Sequence, residues 1–296
     1  YALARSFPGT EILVPIGAVM AVLPILYAVI EDDFRRVLAY SLNNQLGFMV
    51  VGIGIGTEMS LNGTVAHAFI CTIYTGLLFM CTGAVLYRTG TIKGSELGGL
   101  YKSMPLTATF CIIGAASISA FPLFCGFISK SLILASVAES HHTLTFLVLL
   151  CASAGVFLHS GIKVPYFTFF GHDSGIRCKE APLNMLVAMG CAAFLCIALG
   201  VAPDLLYSLL PYPVHFEPYT TSHVLNQLQL LLFAGAAFVF LQKTGLYPAE
   251  LKSVNIDVDW LYRKALPTLV RGFGDRMIRV KVGIQTKVLH GVGFAV

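Results

Sequence analysis

Long apolar runs dominate this chain and leave it few ways to fold. They fall at about 11–30, 37–56, 62–87, 105–138, 144–170, 182–210 and 224–242, with short polar loops between them. A helix crosses a bilayer in roughly 20 residues, so every run is long enough to span. A segment in hydrocarbon must satisfy its own backbone groups, which restricts it to helices or closed barrels. The strict apolar–polar alternation of a membrane barrel is missing. Charged residues make up 11% of the chain, against about 25% in a soluble domain. The sequence therefore predicts an all-α polytopic transmembrane helix bundle of about seven spans, with an amphipathic C-terminal tail.

The fourth run is too long for one straight crossing, and it contains Ala120-Phe121-Pro122-Leu123-Phe124-Cys125-Gly126. Proline removes a backbone donor and glycine loosens the chain, so two half-helices are expected around Pro122 and Gly126. Lys130 follows in Phe127-Ile128-Ser129-Lys130-Ser131-Leu132. A cation in a spanning helix costs about 2.5–3.5 kcal/mol on insertion scales, so chains rarely keep one without a use for it. Beside a broken helix it has backbone carbonyls and water within reach, the makings of a site where a proton or small cation can pause.

Charge distribution suggests the orientation. Loops after the first, third and fifth runs carry Arg35 and Arg36; Arg88, Lys93 and Lys102; and Arg177 and Lys179. Loops after the second, fourth and sixth carry no Lys or Arg, only Glu58, Glu139 and Glu217 among the charges. Basic loops stay cytoplasmic, which predicts an outside N-terminus and a cytoplasmic C-terminus. The first residue is Tyr1 and no signal peptide precedes the first run, so either the chain is processed or it is the C-terminal part of something longer.

Two domains are expected: a transmembrane bundle over 1–243 and a cytoplasmic basic tail over 244–296. From Lys252 on, the tail has eight basic residues against Asp257, Asp259 and Asp275. Interleaved with Trp260, Leu261, Leu266, Leu269, Met277, Ile278 and Val280, these charges suit a helix lying on anionic lipid or on a partner. A partly disordered tail is the alternative, and nucleic-acid binding is not supported.

Other polar residues lie inside the runs. His67, Cys71 and Thr75 share one helical face at i, i+4 and i+8, with Thr64 and Tyr74 near it. Such a face could pass protons through hydroxyls and water, or its groups could simply be satisfied by neighbouring helices. His159 and Lys163 lie four apart in the fifth run, where Lys163 could also snorkel to the cytoplasmic surface. Asp32, Asp33, Arg35 and Arg36 read first as anchoring charges, and Ser41, Asn43, Asn44 and Gln45 as a polar stretch that packs inward or borders water. Eight cysteines fall mostly within apolar runs and show no metal-ligand spacing, so reduced, buried thiols are expected and no metal or cofactor is implied. No nucleophile elbow, phosphate loop or dinucleotide fingerprint is present, and the chain shows no catalytic site of its own.

Three stretches carry a family resemblance. Asp33-Phe34-Arg35-Arg36-Val37-Leu38-Ala39-Tyr40-Ser41 with Gln45-Leu46-Gly47 resembles a "D-x-K-R-x-L-A-Y-S-T-x-S-Q-x-G" segment. Leu97-Gly98-Gly99-Leu100 with Met104-Pro105-Leu106-Thr107 is similar to a "G-G-L-x-x-x-M-P-x-T" loop, and Pro122 to Lys130 to a "P-x-x-x-G-F-x-S-K" broken helix. The motifs are those of the antiporter-like membrane subunits shared by Mrp-type cation/proton antiporters, respiratory complex I and membrane-bound hydrogenases. They cover about residues 30–135, and the later runs are closest to the D-type Mrp subunits.

The resemblance implies a proton-translocating subunit within a larger membrane complex, one that a redox reaction can drive. Its partners would be other antiporter-like or membrane subunits, lipid, protons and Na+ or K+, in a cytoplasmic or equivalent energy-transducing inner membrane. Lys130 falls on the family's terminal relay lysine, Arg35 on a lysine at the cytoplasmic side, and His67 on the first histidine of "H-x-x-x-H-A-x-x-K-A-L-L-F". His159 and Lys163 stand as a possible branch. Cys71 replaces the second histidine and Thr75 the central lysine. A threonine holds no charge, so either His67, water and Lys163 bridge the gap or the chain is a non-pumping scaffold. Only the second of the family's two inverted repeats is recognisable here.

Overall fold

A computed structural model describes residues 1–245 and 260–293, with side chains as far as Lys281. Lys252, Asp257 and Asp259 of the basic tail lie outside the described residues. The chain divides into two compact units, Tyr1–Ser253 and Val254–Val296.

The first unit contains α1 (Ala2–Ser6), α2 (Leu13–Ile30), α3 (Phe34–Ile55), α4 (Glu58–Thr89), α5 (Pro105–Ile118) and α6 (Cys125–Glu139). It continues with α7 (Thr143–Val156), α8 (Leu183–Val201), α9 (Asp204–Tyr207) and α10 (Thr221–Lys243). The second unit contains α11 (Leu266–Gly293). Among the described residues no β-strand forms, only an isolated bridge between Asp33 and Lys93. The helical membrane bundle expected from hydropathy is the fold observed.

Local chemistry sets the helix ends. The Asp33 carboxylate accepts from the backbone N–H of Arg35 and Arg36 and so caps α3, while the Thr57 hydroxyl caps α4. Gly56 and Gly90 close the same two helices at φ 74° and 78°, in the left-handed region that glycine occupies without penalty. Pro105 opens α5, where its missing N–H would have had no partner. Gly17 and Gly47 let the backbones of α2 and α3 approach so closely that a Cβ at either would strike the other chain's main-chain atoms.

Five helices are long and apolar enough to cross a membrane: Leu13–Ile30, Glu58–Thr89, Thr143–Phe170, Leu183–Val201 and Thr221–Lys243. The other two expected spans differ from that pattern for clear reasons. The helix α3 is long enough but carries Arg35, Arg36, Asn43, Asn44 and Gln45. The fourth run is broken as expected, into α5 and α6 of 14 and 15 residues, each too short to span alone.

Helix α4 lies at the centre and packs on α3, α5, α6 and α8. At 32 residues it is about 48 Å long, well beyond a ~30 Å hydrocarbon core. Beyond α7 the same helix runs on through Phe157–Lys163 and Tyr166–Phe170 with π-helical hydrogen bonding. Pro165 lies between the two π stretches; it cannot donate to the preceding turn, and widening to π geometry accommodates it.

Candidate functional site: buried lysines and histidines at a broken helix

Six residues, Ser119–Phe124, separate the half-helices. Ala120 and Leu123 adopt φ 57° and 73°, a left-handed backbone that side chains other than glycine rarely take. Gly126 fits against Ser117 so tightly that a Cβ would collide with the Ser117 carbonyl oxygen. The break frees carbonyl groups at the end of α5, and side chains from elsewhere satisfy them. Lys130 Nζ donates to the Ile118 oxygen at 2.8 Å. Gln227 of α10 donates to the Ser119 oxygen at 3.1 Å.

Helix geometry brings Lys130 there. Cα–Cβ bonds tilt toward a helix N-terminus, so a side chain in the second turn of α6 points back at the break. Lys130 is 1% exposed, and its Nζ also lies 5.3 Å from the centre of the Phe48 ring. Among the described residues Ile118 supplies the one oxygen that accepts from it. An ammonium has three donors, so two remain for the cavity beside it.

His67 joins this site through the residue next to Lys130. Its Nδ1 lies 2.9 Å from Ser129 Oγ and its Nε2 lies 3.0 Å from Gln45 Oε1. Gln45 Oε1 also accepts from Tyr74 Oη at 3.1 Å, and Gln45 Nε2 donates to Asn44 Oδ1 at 2.8 Å. Asn44 in turn donates to the Ala21 carbonyl. Since an amide oxygen only accepts, His67 carries its proton on Nε2 when neutral, and Nδ1 accepts from the Ser129 hydroxyl. To take a second proton at Nδ1, the hydroxyl must turn away, and the Gly126 carbonyl 3.4 Å from Ser129 Oγ is there to receive it. The arrangement can therefore pass a proton by rotating one hydroxyl.

The polar face of α4 is buried as predicted, with Cys71 Sγ 3.6 Å from Thr75 Oγ1. Neither side chain supplies a second cation beside His67. Of the cysteines, Cys71, Cys81, Cys111, Cys125 and Cys196 are buried and all eight are free. Cys151 and Cys191 are exposed instead, because they lie on outward faces of α7 and α8.

His159 and Lys163 are fully buried within the π-helical stretch. Snorkelling, one of the two readings for Lys163, does not occur. Its Nζ instead donates to the carbonyl oxygens of Ala28, Val29 and Glu31 at 3.3, 2.8 and 2.7 Å. These groups lie at the C-terminal end of α2, where unpaired carbonyls and the helix dipole favour a cation. His159 Nδ1 lies 2.9 Å from Ser160 Oγ, while Nε2 has no partner among the described residues. The charges of both Lys163 and Lys130 act on His159. Four of the five predicted site residues are thus buried in one region of the bundle.

Arg35 is the exception. It is exposed in the first turn of α3, and among the described residues no side-chain contact ties it to the buried groups. Its neighbours have local roles: Asp33 caps α3, and Asp32 accepts from the N–H and hydroxyl of Ser95, both at 2.8 Å. Hydropathy did not single out Glu31 or Gln227. Glu31 is 2% exposed and accepts from the N–H groups of Asp32 and Asp33. A carboxylate next to Asp32-Asp33 looks like loop, and one glutamine in an apolar helix signals nothing about its partner.

Fold and site together define a multi-pass helical membrane protein built around a broken helix with a buried lysine. Residues 6–156, just over half the chain, match the family described as NADH:quinone oxidoreductase/Mrp antiporter, transmembrane, and the chain belongs to that family. Hydrogenase-4 component B of Escherichia coli (strain K12) is 30% identical over 227 residues, covering 69% of this chain and 34% of that protein. NADH-ubiquinone oxidoreductase chain 5 of Hypocrea jecorina is 34% identical over 187 residues, covering 59% and 26%. The chain thus spans about a quarter to a third of these curated relatives. Among solved structures, a chain of the membrane-bound sulfane sulfur reductase, an archaeal respiratory membrane complex, aligns over 83% of this chain and 42% of its own at TM-score 0.64 and 25% identity. A chain of the Mrp complex from Dietzia sp. DQ12-45-1b shares the fold, at TM-score 0.61 and 20% identity over 66% of this chain and 45% of its own.

Proposed function

We propose that this chain is a proton-translocating, antiporter-like subunit of a larger membrane complex, with Lys130 as its buried protonatable relay. The observation that carries the reading is the state of Lys130: buried at a helix break, held by one carbonyl, and one residue from the Ser129–His67 pair. A group that changes charge needs partners that tolerate both forms, and one carbonyl plus a polar cavity does so. His67 is the neighbouring station, with His159 and Lys163 as a branch. The three carbonyls around Lys163 favour a fixed cation there over an exchanging one. Arg35 would stand at the cytoplasmic access to the path.

Relatives named as complex I, Mrp and hydrogenase components support a multisubunit host and an energy-transducing membrane. Other antiporter-like subunits and lipid are the expected partners, with protons and Na+ or K+ as the ions. The loop charges favour an outside N-terminus, a cytoplasmic C-terminus and a cytoplasmic tail over 244–296.

A second reading has its own observation. Cys71 and Thr75 leave α4 without the central charge, which suits a scaffold subunit that no longer pumps. Ion-gradient-driven proton flux of the intact complex in liposomes separates the two. Loss of flux in Lys130→Ala, with assembly preserved, is expected for a working relay. Flux insensitive to Lys130→Ala would leave the scaffold, and a gain in Thr75→Lys would show a path disabled at that position.

A further inference from the structure

We propose that Lys130 exchanges protons with the end of the bundle where α10 begins, through a water-filled cavity at whose mouth His223 is a second protonatable station. The proposal rests on the proton-transport reading above and adds to it a route and a residue.

A cavity of about 260 Å³ lies between α6, α7 and α10. Its polar lining is Lys130, Ser131, Ser222, His223, Asn226 and Gln227. The lining grades from surface to core: Ser222 and Asn226 are exposed, His223 is half-buried, and Gln227 and Lys130 are buried. On α10, His223 and Gln227 are i and i+4, so one helical face follows the cavity inward. At about 30 Å³ per water, the space holds several molecules, and polar groups are present to bind them.

Two independent features say that water is needed there. Lys130 has donors left after its bond to Ile118, and it lines the cavity. His223 Nδ1 is shielded and has no hydrogen-bond partner among the described residues. Buried polar atoms are rarely left unpaired, so both groups call for solvent within the same cavity. Gln227, whose Nε2 is held by the Ser119 carbonyl, lines it between them. Histidine is the side chain suited to take and release protons near neutral pH. His223 is kept at the mouth by its ring contact with Phe216, at 5.3 Å between centroids.

The test uses the intact complex in liposomes. Ser131→Cys, deep in the cavity, is expected to react with a small charged thiol reagent above the wild-type background, and Asn226→Cys at the mouth likewise. His223→Phe keeps the aromatic contact with Phe216 while removing the ring nitrogens. It is expected to lower proton flux by about 10²-fold or more, the usual weight of a positioned proton-transfer group, and to slow Ser131→Cys labelling. His223→Gln, which keeps a hydrogen-bonding side chain, should lower flux as well, and it decides the matter if His223→Phe fails to assemble. An unreactive Ser131→Cys beside a reactive Asn226→Cys would mean a dry cavity and overturn the proposal. Wild-type flux without His223, with flux lost in Lys130→Ala, would remove this route and leave the transport reading standing. Wild-type flux in both would overturn that reading and the route with it.

Discussion

Lys130 and Lys163 lie in the same bundle yet meet their surroundings differently, and the difference predicts effects of opposite sign. Lys163 satisfies three carbonyls at the end of α2, so Lys163→Met leaves buried acceptors without donors. That loss is expected to cost about 1–3 kcal/mol and to lower the thermal midpoint of the detergent-solubilised protein. Lys130 has one carbonyl, so Lys130→Met removes a poorly compensated buried charge and should leave the midpoint unchanged or raised. A midpoint that falls more for Lys130→Met than for Lys163→Met would contradict this assignment. The Asp173–Arg177 pair, joined at 2.7 Å in the loop before α8, bounds pH effects differently. Hydrogen bonds from Arg177 hold the Asp173 carboxyl below its usual range. A depressed carboxyl contributes stability above its unfolded value of about 3.9 and loses it only as pH falls through the folded value. The pair is therefore constant through neutral pH. Asp173→Asn should leave the shape of a flux–pH profile between about pH 6 and 8 unchanged, measured in the same liposomes.

Among the elements, the break between α5 and α6 concentrates strain and function. Leu123 holds a left-handed backbone while more than half exposed, so its side chain gives little packing in return. Leu123→Gly is expected to stabilise by up to about 1 kcal/mol, the left-handed penalty less the entropy of glycine, seen as a higher thermal midpoint. Gly126→Ala should act the other way, costing about 1–3 kcal/mol or more because the colliding atom is a main-chain oxygen that cannot swing aside. The break itself was readable from Pro122 and Gly126, because a missing N–H and a missing Cβ are local properties. The π-helical course of Phe157–Lys163 was not. Pro165 marks a disturbance, but which hydrogen bonds replace the lost one depends on the helices packed around it. The docking of Gln227 on the Ser119 carbonyl was equally hidden, since 108 residues of chain separate the partners.

The molecule as a whole presents apolar surface outward and polar groups inward, the reverse of a soluble domain. On α2, Ile12, Ile16, Val19, Leu23, Leu26 and Ile30 recur at three- and four-residue spacing and are all exposed, forming one ridge for lipid or a membrane partner. In the second unit, Leu266, Leu269, Val270, Phe273, Met277 and Val280 form a similar exposed stripe on α11, with Arg271 and Arg276 also exposed. That pattern supports a helix lying on an anionic surface. Arg271→Glu with Arg276→Glu is expected to weaken binding of the complex to anionic vesicles by about 1 kcal/mol per basic residue lost, and less at high salt. Unchanged, salt-insensitive binding would assign α11 to another role. Hydropathy alone determined that the chain is a helical membrane bundle with a broken fourth run and a buried lysine after it, because burying backbone in hydrocarbon admits so few solutions. Tertiary structure alone decided which lysine is fully capped and which is left with open donors. The carbonyls that answer them belong to other helices, and a main-chain acceptor has the same sequence signature wherever it lies.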